Sequence, residues 1–383
     1  EASCYAILGN VFNKSLGQYD KAKEYLQKAL VIRTEIGDRK GEALCYENLV
    51  AVCKLRFQYH KAEEHLLRVL AIRTEIGDRR GEALCYGNLG TVFLSLGQYE
   101  KAKEYLQKAL AIRTGIGDRK GEAACYGNLG NVYMLLGQYD KAREYLQKAL
   151  AITTGISDRK GEATCYGNLG NVFESLGQYD KAKEYLQKGL VIAIEIGNRK
   201  GEASGYGRLG IVFKSLGQYD KAKEYLQKAL IIRTEIGDRE GEAADYGNLG
   251  TVFKSLRQYD KAKEYLQKAL VITTEIGDRK GEASCYGNLG TLFQSPEQYG
   301  KVKEYLEKAL VIRTEIGDKK GEAADLRNLG IMYRKFGDYE ASEVCLEKAL
   351  STSRDIGDGR KEFGILQDYA ILYLCQNKIK DSL

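Results

Sequence analysis

The sequence predicts an all-α fold in which antiparallel helix pairs stack into a solenoid. The first observation is an internal period of forty residues: segment 81–120 is followed by close copies that begin at Gly121, Gly161, Gly201, Gly241 and Gly281. Looser copies begin at Gly41 and Gly321. The second observation is that each copy holds two stretches whose apolar residues have helical spacing. A period of this length indicates a solenoid, because one copy cannot bury its apolar face alone and stacks on its neighbours.

The two helices of a copy are each predicted from apolar and small residues three and four positions apart. In copy three the first set is Ala83, Tyr86, Leu89, Gly90, Phe93 and Leu96. The second set is Ala102, Tyr105, Leu106, Ala109, Leu110, Ile112 and Ile116. Gly97 and Gly117 follow the two sets and suit the left-handed residue that ends a helix. Asp118 is predicted to cap the next copy's first helix, because its carboxylate accepts from free backbone N–H groups.

These positions resemble the tetratricopeptide repeat. The matching residues are Tyr86, Leu89, Gly90, Phe93, Tyr99, Ala102, Leu106 and Ala109, with tyrosine where the usual repeat has tryptophan. The resemblance implies a right-handed superhelix whose first helices line a concave groove and whose second helices form the convex side. The forty-residue form also resembles repeats of the Pins/LGN family of G-protein-signalling modulators. It is similar, too, to long arrays in large animal scaffold proteins and in repeat-bearing signalling NTPases.

All copies are predicted to form a single array over residues 1–383, because the chain has one proline and no linker-like stretch. The repeats are assigned to 1–40, 41–80, 81–120, 121–160, 161–200, 201–240, 241–280, 281–320 and 321–360, with a partial repeat at 361–383. The partial repeat carries one predicted apolar face, formed by Ile365, Leu366, Tyr369, Leu372 and Tyr373. This face predicts an interrupted repeat or a docking surface.

Composition and charge argue against a membrane or nucleic-acid protein. The net charge is +6 over 383 residues, and no apolar run approaches the roughly 20 residues of a membrane span. In copy three all the basic residues fall in the second helix or the junction, so they are expected on the outer surface. No basic patch with interleaved aromatic residues predicts nucleic-acid binding. No signal peptide is visible, and we expect a cytoplasmic protein.

The cysteines are interpreted as free, buried thiols of a reducing compartment. Cys45, Cys85, Cys125 and Cys165 are one repeat position copied, and Cys4 and Cys285 share it. Equivalent positions of stacked copies are about 8–10 Å apart, which is too far for a disulfide.

The sequence predicts no enzyme, no cofactor and no metal. Segment 127–130, Gly-Asn-Leu-Gly, is not a phosphate-binding loop, because its glycines lie inside a helical period rather than after a strand. His60 and His65 are five residues apart without supporting ligands, which is a poor metal site. An enzyme site is expected to interrupt the repeat, and no insertion does so.

The candidate binding residues lie on the predicted groove side of the first helices. One position per copy forms the asparagine row, whose members are Asn48, Asn88, Asn128, Asn168, Arg208, Asn248, Asn288 and Asn328. An amide supplies both a donor and an acceptor, so such a row can satisfy the backbone of an extended peptide. The alternative is a surface asparagine copied by duplication. The glycines just before the row, for example Gly87 and Gly127, leave room for a ligand backbone or are likewise merely copied.

The later copies add a basic set on the same predicted side. Its members are Arg208, Lys214, Lys254, Arg327, Arg334 and Lys335. Concave walls focus the field of such charges, which favours an acidic ligand.

The predicted function is therefore a protein-interaction scaffold that binds an extended or helical, acidic segment of a protein or peptide partner. The alternative is the sensor array of a larger signalling NTPase or protease whose catalytic domain is outside this sequence.

Overall fold

The computed structural model describes residues 1–14, 18–292, 299–357 and 359–380. Within these ranges the chain forms nineteen α-helices and no strand. They are α1 (Ala2–Lys14), α2 (Tyr19–Glu35), α3 (Arg39–Leu55), α4 (Tyr59–Glu75), α5 (Arg79–Ser95), α6 (Tyr99–Gly115), α7 (Arg119–Leu135), α8 (Tyr139–Gly155), α9 (Arg159–Ser175), α10 (Tyr179–Glu195), α11 (Arg199–Ser215), α12 (Tyr219–Glu235), α13 (Arg239–Ser255), α14 (Tyr259–Ile276), α15 (Arg279–Gly290), α16 (Tyr299–Glu315), α17 (Lys319–Lys335), α18 (Tyr339–Asp355) and α19 (Gly359–Lys380). Odd-numbered helices are the first helices of the copies, and even-numbered helices are the second helices. The predicted all-α class is confirmed.

The helices are distributed over two compact units. Unit 1 comprises Glu1–Leu216 and contains α1 to α11, and unit 2 comprises Gly217–Leu383 and contains α12 to α19. Within each unit, first helices pack against the second helix of their own copy, as α7 does against α8 and α13 against α14. They also pack against the second helix of the preceding copy, as α7 does against α6 and α13 against α12. Among helices two places apart, the substantial contacts in the described chain are all between first helices, such as α5 with α7 and α13 with α15.

Helix ends follow the predicted signals. Gly97 and Gly117 have φ angles of +72° and +70°, so they adopt the left-handed conformation that glycine tolerates best. The Asp118 side chain accepts a 3.0 Å hydrogen bond from the backbone N–H of Gly121, which confirms the predicted cap. Three turns adopt the same conformation without glycine, at Phe57, Ser157 and Arg257. These turns are strained, because a side chain disfavours a positive φ.

The crossing of the two helices in a copy depends on a glycine of the first helix. In copy four, a methyl group at Gly130 would lie 2.6 Å from Leu146 Cγ and 3.3 Å from the carbonyl oxygen of Ala142. Leu146 and Ala142 are fully buried. Copy two carries Val50 at this place, together with the small Cys53 where other copies have an aromatic ring. The glycine therefore sets how closely the helices approach.

The core of unit 1 is continuous over copies two to five. One cluster of buried side chains runs from Val50 to Val172, and Leu89, Leu129 and Leu169 recur in it at the same register. Burial of apolar surface in this repeated layer supplies most of the stability of the stack, because each copy completes the core of its neighbour.

The terminal helices differ from the expectations. Cys4 is exposed, although the equivalent Cys45 and Cys85 are buried as predicted. In α19 the predicted single apolar face is divided: Ile365 and Leu372 are buried, whereas Leu366 and Tyr373 are 43% and 57% exposed. One edge of the predicted face is therefore covered, and its other edge is exposed. Ser295-Pro296-Glu297, which the sequence predicts to form the turn between the two helices of copy eight, lie outside the described residues.

We expect Gly130→Ala to lower the free energy of unfolding by about 1–3 kcal/mol, because the added methyl group overpacks the helix crossing. Gly127→Ala is the matched control on the same helix, since a methyl group there meets nothing within 4 Å. The control should be neutral or stabilising by about 0.5–1 kcal/mol, because alanine favours the helix. Urea unfolding of both variants measures the difference. Equal effects of the two substitutions would show that the glycine does not control the crossing.

Candidate functional site

The asparagine row lies near the middle of each first helix, on the flank of its buried stripe. Asn88 immediately precedes Leu89 and Gly90, which pack into the core. Successive helical residues are about 100° apart around the axis, so Asn88 is turned away from the crossing and remains half-buried. The other members of the row are also half-buried, except Asn168, which is buried with 9% exposure.

Most amides of the row have unused hydrogen-bonding capacity. The side chains of Asn48, Asn88, Asn128, Asn248, Asn288 and Asn328 make no hydrogen bond within the described part of the chain. In copy six, Arg208 replaces the asparagine and donates through Nη1 to Asn168 Oδ1 at 3.5 Å. The free amides are therefore able to donate to and accept from an added backbone.

The glycines before the row differ in how open they are. A methyl group at Gly127 or Gly247 would meet nothing within 4 Å. At Gly167 it would lie 3.2 Å from Arg208 Nη1, and at Gly87 it would lie 3.6 Å from an Arg113 nitrogen. Room for a ligand backbone is therefore available in some copies, while a guanidinium group lies beside the glycine in others.

Arg113 departs from its expected place on the solvated outer surface. Its Nη1 donates a 2.8 Å hydrogen bond to the carbonyl oxygen of Gly121 in the next copy. This arginine therefore links two copies, because its guanidinium binds the first turn of α7.

Lys254 of the basic set is held between two first helices, as is Lys54 in copy two. Lys254 Nζ donates to Thr291 Oγ1 at 2.7 Å, and Lys54 makes the equivalent contact with Thr91 at 3.3 Å. Burial lowers the pKa of Lys54, Lys214 and Lys254, and nearby Glu174 opposes this shift at Lys214. An ammonium group that is partly desolvated and fixed by a hydroxyl group is well placed to bind an anion, because less water has to be displaced.

The sequence contains a signal for these lysines that the initial interpretation missed. Where lysine stands six residues after a member of the asparagine row, threonine follows it thirty-seven residues later. The pairs are Lys54/Thr91, Lys214/Thr251 and Lys254/Thr291. In copies that have a residue other than lysine at the first of these two positions, the second position is not threonine. The pairing therefore follows the repeat register.

The arginines of the basic set are not equivalent. Arg327 Nε donates to Asp368 Oδ2 at 2.5 Å, so an acidic side chain of the neighbouring copy already neutralises it. Asp368 occupies the position of the asparagine row in the partial repeat. Arg334 is half-buried, and its Nε has no hydrogen-bond partner among the described residues. Lys335 is exposed and close enough to lower the pKa of Lys254 by charge repulsion, after the larger effect of burial.

Two buried aspartates in unit 2 were also missed by the sequence interpretation. Asp245 and Asp325 stand where most copies have the buried cysteine. Arg233 Nε lies 2.9 Å from Asp245 Oδ2, but the two atoms are not aligned for a hydrogen bond. Burial therefore outweighs the attraction of Arg233 and raises the pKa of Asp245 to about 7. Burial likewise raises the pKa of Asp325 to about 6.

The described ranges contain neither a cluster of metal ligands nor a membrane-spanning helix. In the described parts of the chain, no three histidine, cysteine, aspartate or glutamate side chains are grouped as metal ligands. His60 is exposed near Glu63, and the His65 ring packs beside Tyr46 with centroids 5.6 Å apart. None of the described helices combines the length and apolar character needed to cross a membrane.

The sequence matches the tetratricopeptide repeat over most of its length. One family model matches residues 2–75, 46–115, 121–195, 201–275 and 248–315, and a second model of this repeat matches residues 326–356. No curated protein matches the sequence. The comparisons thus support the repeat and do not show the finer resemblance to Pins/LGN or to animal scaffold proteins.

Several solved structures are similar to this chain. A Rap protein complexed with Competence and Sporulation Factor has a TM-score of 0.67 at 14% identity, and the similarity covers 93% of this chain and 99% of that one. The apo quorum sensor NprR from B. thuringiensis has a TM-score of 0.58 at 15% identity, covering 89% and 99%. A Signal Transduction ATPase with Numerous Domains from Pyrococcus horikoshii, which has a tetratricopeptide repeat sensor, gives 0.56 at 19% identity, covering 98% of this chain and 54% of that protein. At these identities the similarity shows the fold alone.

We expect Asp245→Cys to stabilise unit 2 at pH 7.5 but not near pH 4. The pKa of Asp245 rises from 3.8 to about 7 on folding, so the folded chain keeps a proton that the unfolded chain loses. The free energy of unfolding contributed by this group therefore falls as pH rises from about 4 to about 7. Cysteine is tolerated opposite arginine, since Cys45 and Cys125 occupy this position beside Arg33 and Arg113.

Urea unfolding at both pH values measures the effect. Asp260→Cys, at an exposed position in the same unit, controls for the loss of a carboxyl group. A stability difference for Asp245→Cys that is the same at both pH values would contradict the assignment of a raised pKa.

Proposed function

This chain belongs to the tetratricopeptide repeat family, and we propose that it is a non-catalytic array that binds an acidic segment of a partner protein. The segment is extended or helical and lies against the first helices, on the side that carries the asparagine row. We also propose that residues 1–383 act as a single array in the cytoplasm. The buried free thiols support a reducing compartment, because disulfides are rare there.

The observation that carries this proposal is the set of half-buried, unpaired amides in the asparagine row. Such groups are normally satisfied inside a folded protein, and a repeated unpaired donor and acceptor calls for an external partner or water. An extended backbone offers donors and acceptors in a regular series, so the row matches it without demanding one sequence. In unit 2 the row members are Asn248, Asn288 and Asn328.

The acidic character of the ligand is supported by the basic set, considered within each unit. Unit 1 contributes Arg208 and Lys214, with Glu174 beside Lys214. Unit 2 contributes Lys254, Arg334 and Lys335, whereas Arg327 is already neutralised by Asp368. Basic side chains thus exceed acidic ones on this side of unit 2, and their partial burial strengthens attraction to a carboxylate.

Two further observations favour the first-helix side as the binding surface. First helices of successive copies contact each other, which is expected if they line the inner side of a curved stack. The similar Rap protein is complexed with Competence and Sporulation Factor, so an array of this fold is able to hold a partner. The Pins/LGN resemblance adds the narrower proposal of a role in cell polarity or G-protein signalling.

The alternative is a sensor array within a larger signalling NTPase or protease. It is favoured by the similarity to the Pyrococcus horikoshii protein, where this chain covers 98% of its own length but only 54% of that protein. A nucleotide-binding or protease domain in the longer protein would support this alternative over a free-standing scaffold.

A library of random peptides displayed on phage tests the proposed ligand class. We expect selection on the native chain to enrich acidic peptides. Asn248→Ala combined with Asn288→Ala should weaken a selected peptide by about five- to a hundredfold, because each lost hydrogen bond costs about 0.5–1.5 kcal/mol. The matched control is Gln227→Ala combined with Gln267→Ala, which removes two exposed amides from second helices of the same unit.

The charge component is tested with the same peptide. Reversing Lys254, Arg334 and Lys335 to glutamate, all within unit 2, should weaken binding and flatten its dependence on salt, because fewer attractive charges remain to be screened. Reversing Lys101, Lys103 and Lys108 on a second helix is the control. Greater loss from either second-helix control than from its first-helix counterpart would contradict the proposed surface.

A further inference from the structure

In at least four copies of the described chain, an ion-pair cluster joins the start of the first helix to the end of the second helix. An arginine at the first helical position contacts a glutamate three residues on and a second glutamate thirty-six residues on. The clusters are Arg39–Glu42–Glu75, Arg159–Glu162–Glu195, Arg239–Glu242–Glu275 and Arg279–Glu282–Glu315. The Arg159 Nη2 to Glu195 Oε2 distance is 2.7 Å, and the equivalent distance at Arg279 is 2.6 Å. In these copies the guanidinium therefore binds two carboxylates.

The cluster is incomplete in two consecutive copies of unit 1. Arg79 and Arg119 keep the nearer glutamate, with Nη1 to Oε2 distances of 2.6 Å. The farther glutamate is replaced by Gly115 in copy three and by Gly155 in copy four. The arginine side chains are consequently 62% and 57% exposed, against 40–46% in the four complete clusters. Neither Nη2 has a partner within the described residues.

The fold does not require glycine at these two places. Gly115 and Gly155 end α6 and α8 with ordinary helical backbone angles, so no positive φ explains them. A methyl group on either would meet nothing within 4 Å. Glycine disfavours a helix relative to alanine, because it loses more backbone entropy. Internal packing therefore does not account for the loss of the glutamate.

A smaller side chain also lies at the neighbouring surface position of these copies than in unit 2. In copies seven and eight, the shallow cavity beside Arg239 or Arg279 is lined by Val271 or Val311. Copies three and four have Ala111 and Ala151 at the valine position. Two adjacent copies thus lack both the bulky side chain and the carboxylate next to an open guanidinium.

We propose that Arg79 and Arg119 form a two-point carboxylate-binding site for a helical, glutamate-bearing segment of a partner protein. Each partner carboxylate takes the place that Glu195, Glu275 or Glu315 occupies in a complete cluster. Neighbouring first helices pack about 8–10 Å apart, so the two sites have roughly that spacing. Glutamates seven residues apart on a helix are separated by about 10.5 Å along one face, which matches the spacing. This site lies at the junction of first and second helices and does not depend on the asparagine row.

The probe is a fluorescent helical peptide with glutamates at positions i and i+7, and its glutamine version is the comparison. We expect the glutamate peptide to bind the native chain at low salt and the glutamine peptide to bind more weakly, by up to about thirtyfold for two exposed ion pairs. Gly115→Glu combined with Gly155→Glu should reduce binding by about tenfold, because the internal carboxylates refill both sites. Gly115→Ala combined with Gly155→Ala is the matched control and should leave binding within about twofold.

Thermal unfolding verifies that the glutamate variant is folded, and restored ion pairs should leave its midpoint equal to or above that of the native chain. Equal loss of binding in the alanine variant, no loss in the glutamate variant, or equal binding of both peptides would overturn the proposal. Asn248→Ala combined with Asn288→Ala should leave binding of this peptide unchanged. A loss there would assign the peptide to the asparagine row instead.

Discussion

Every full copy except copy two, which has Val50, depends on the contact between a glycine of the first helix and a leucine of the second. At Gly90 the two helices are so close that an added methyl group would lie 2.6 Å from Leu106 Cγ. This approach buries Leu106 and Ala102 completely and fixes the rotation of the first helix about its axis. Because the rotation is fixed, Asn88, which is two residues before the glycine, lies half-buried at the edge of the core. The packing constraint thus places the candidate binding amides in the same register in successive copies.

The same register allows a single substitution to change the chemistry of one surface without disturbing the core. Lysine and threonine thirty-seven residues apart bridge neighbouring first helices at Lys254 and Thr291. Arginine and glutamate thirty-six residues apart join the two helices of a copy, as at Arg159 and Glu195. Where one partner of such a pair is missing, the other loses its ion-pair partner. Gly115, for example, leaves Arg79 without a second carboxylate. Duplication supplies the scaffold, and differences between copies supply the sites.

The sequence predicted the helices, the left-handed glycine turns and the aspartate caps, because these depend on neighbouring residues. It did not predict that Asp368 neutralises Arg327, since the two side chains are forty-one residues apart and meet only through the packing of α17 and α19. Asp245 was missed because a single change from cysteine to aspartate does not alter the apolar pattern. The division of the α19 apolar face was also missed, because helical spacing alone does not reveal which side of an end helix has a neighbour. The asparagine row could be located from its spacing, whereas its lack of internal partners could be learned only from the structure.

The most direct test of the account is the NMR spectrum of the asparagine side-chain amides in the presence of a selected acidic peptide. If the row binds the backbone of the partner, the NH₂ signals of Asn248 and Asn288 should shift on titration, while those of Gln227 and Gln267 on second helices remain in place. Signals are assigned by their loss in the alanine variants. Peptide binding that shifts the second-helix glutamines and leaves the asparagine signals unchanged would contradict the assignment of the first helices as the binding surface.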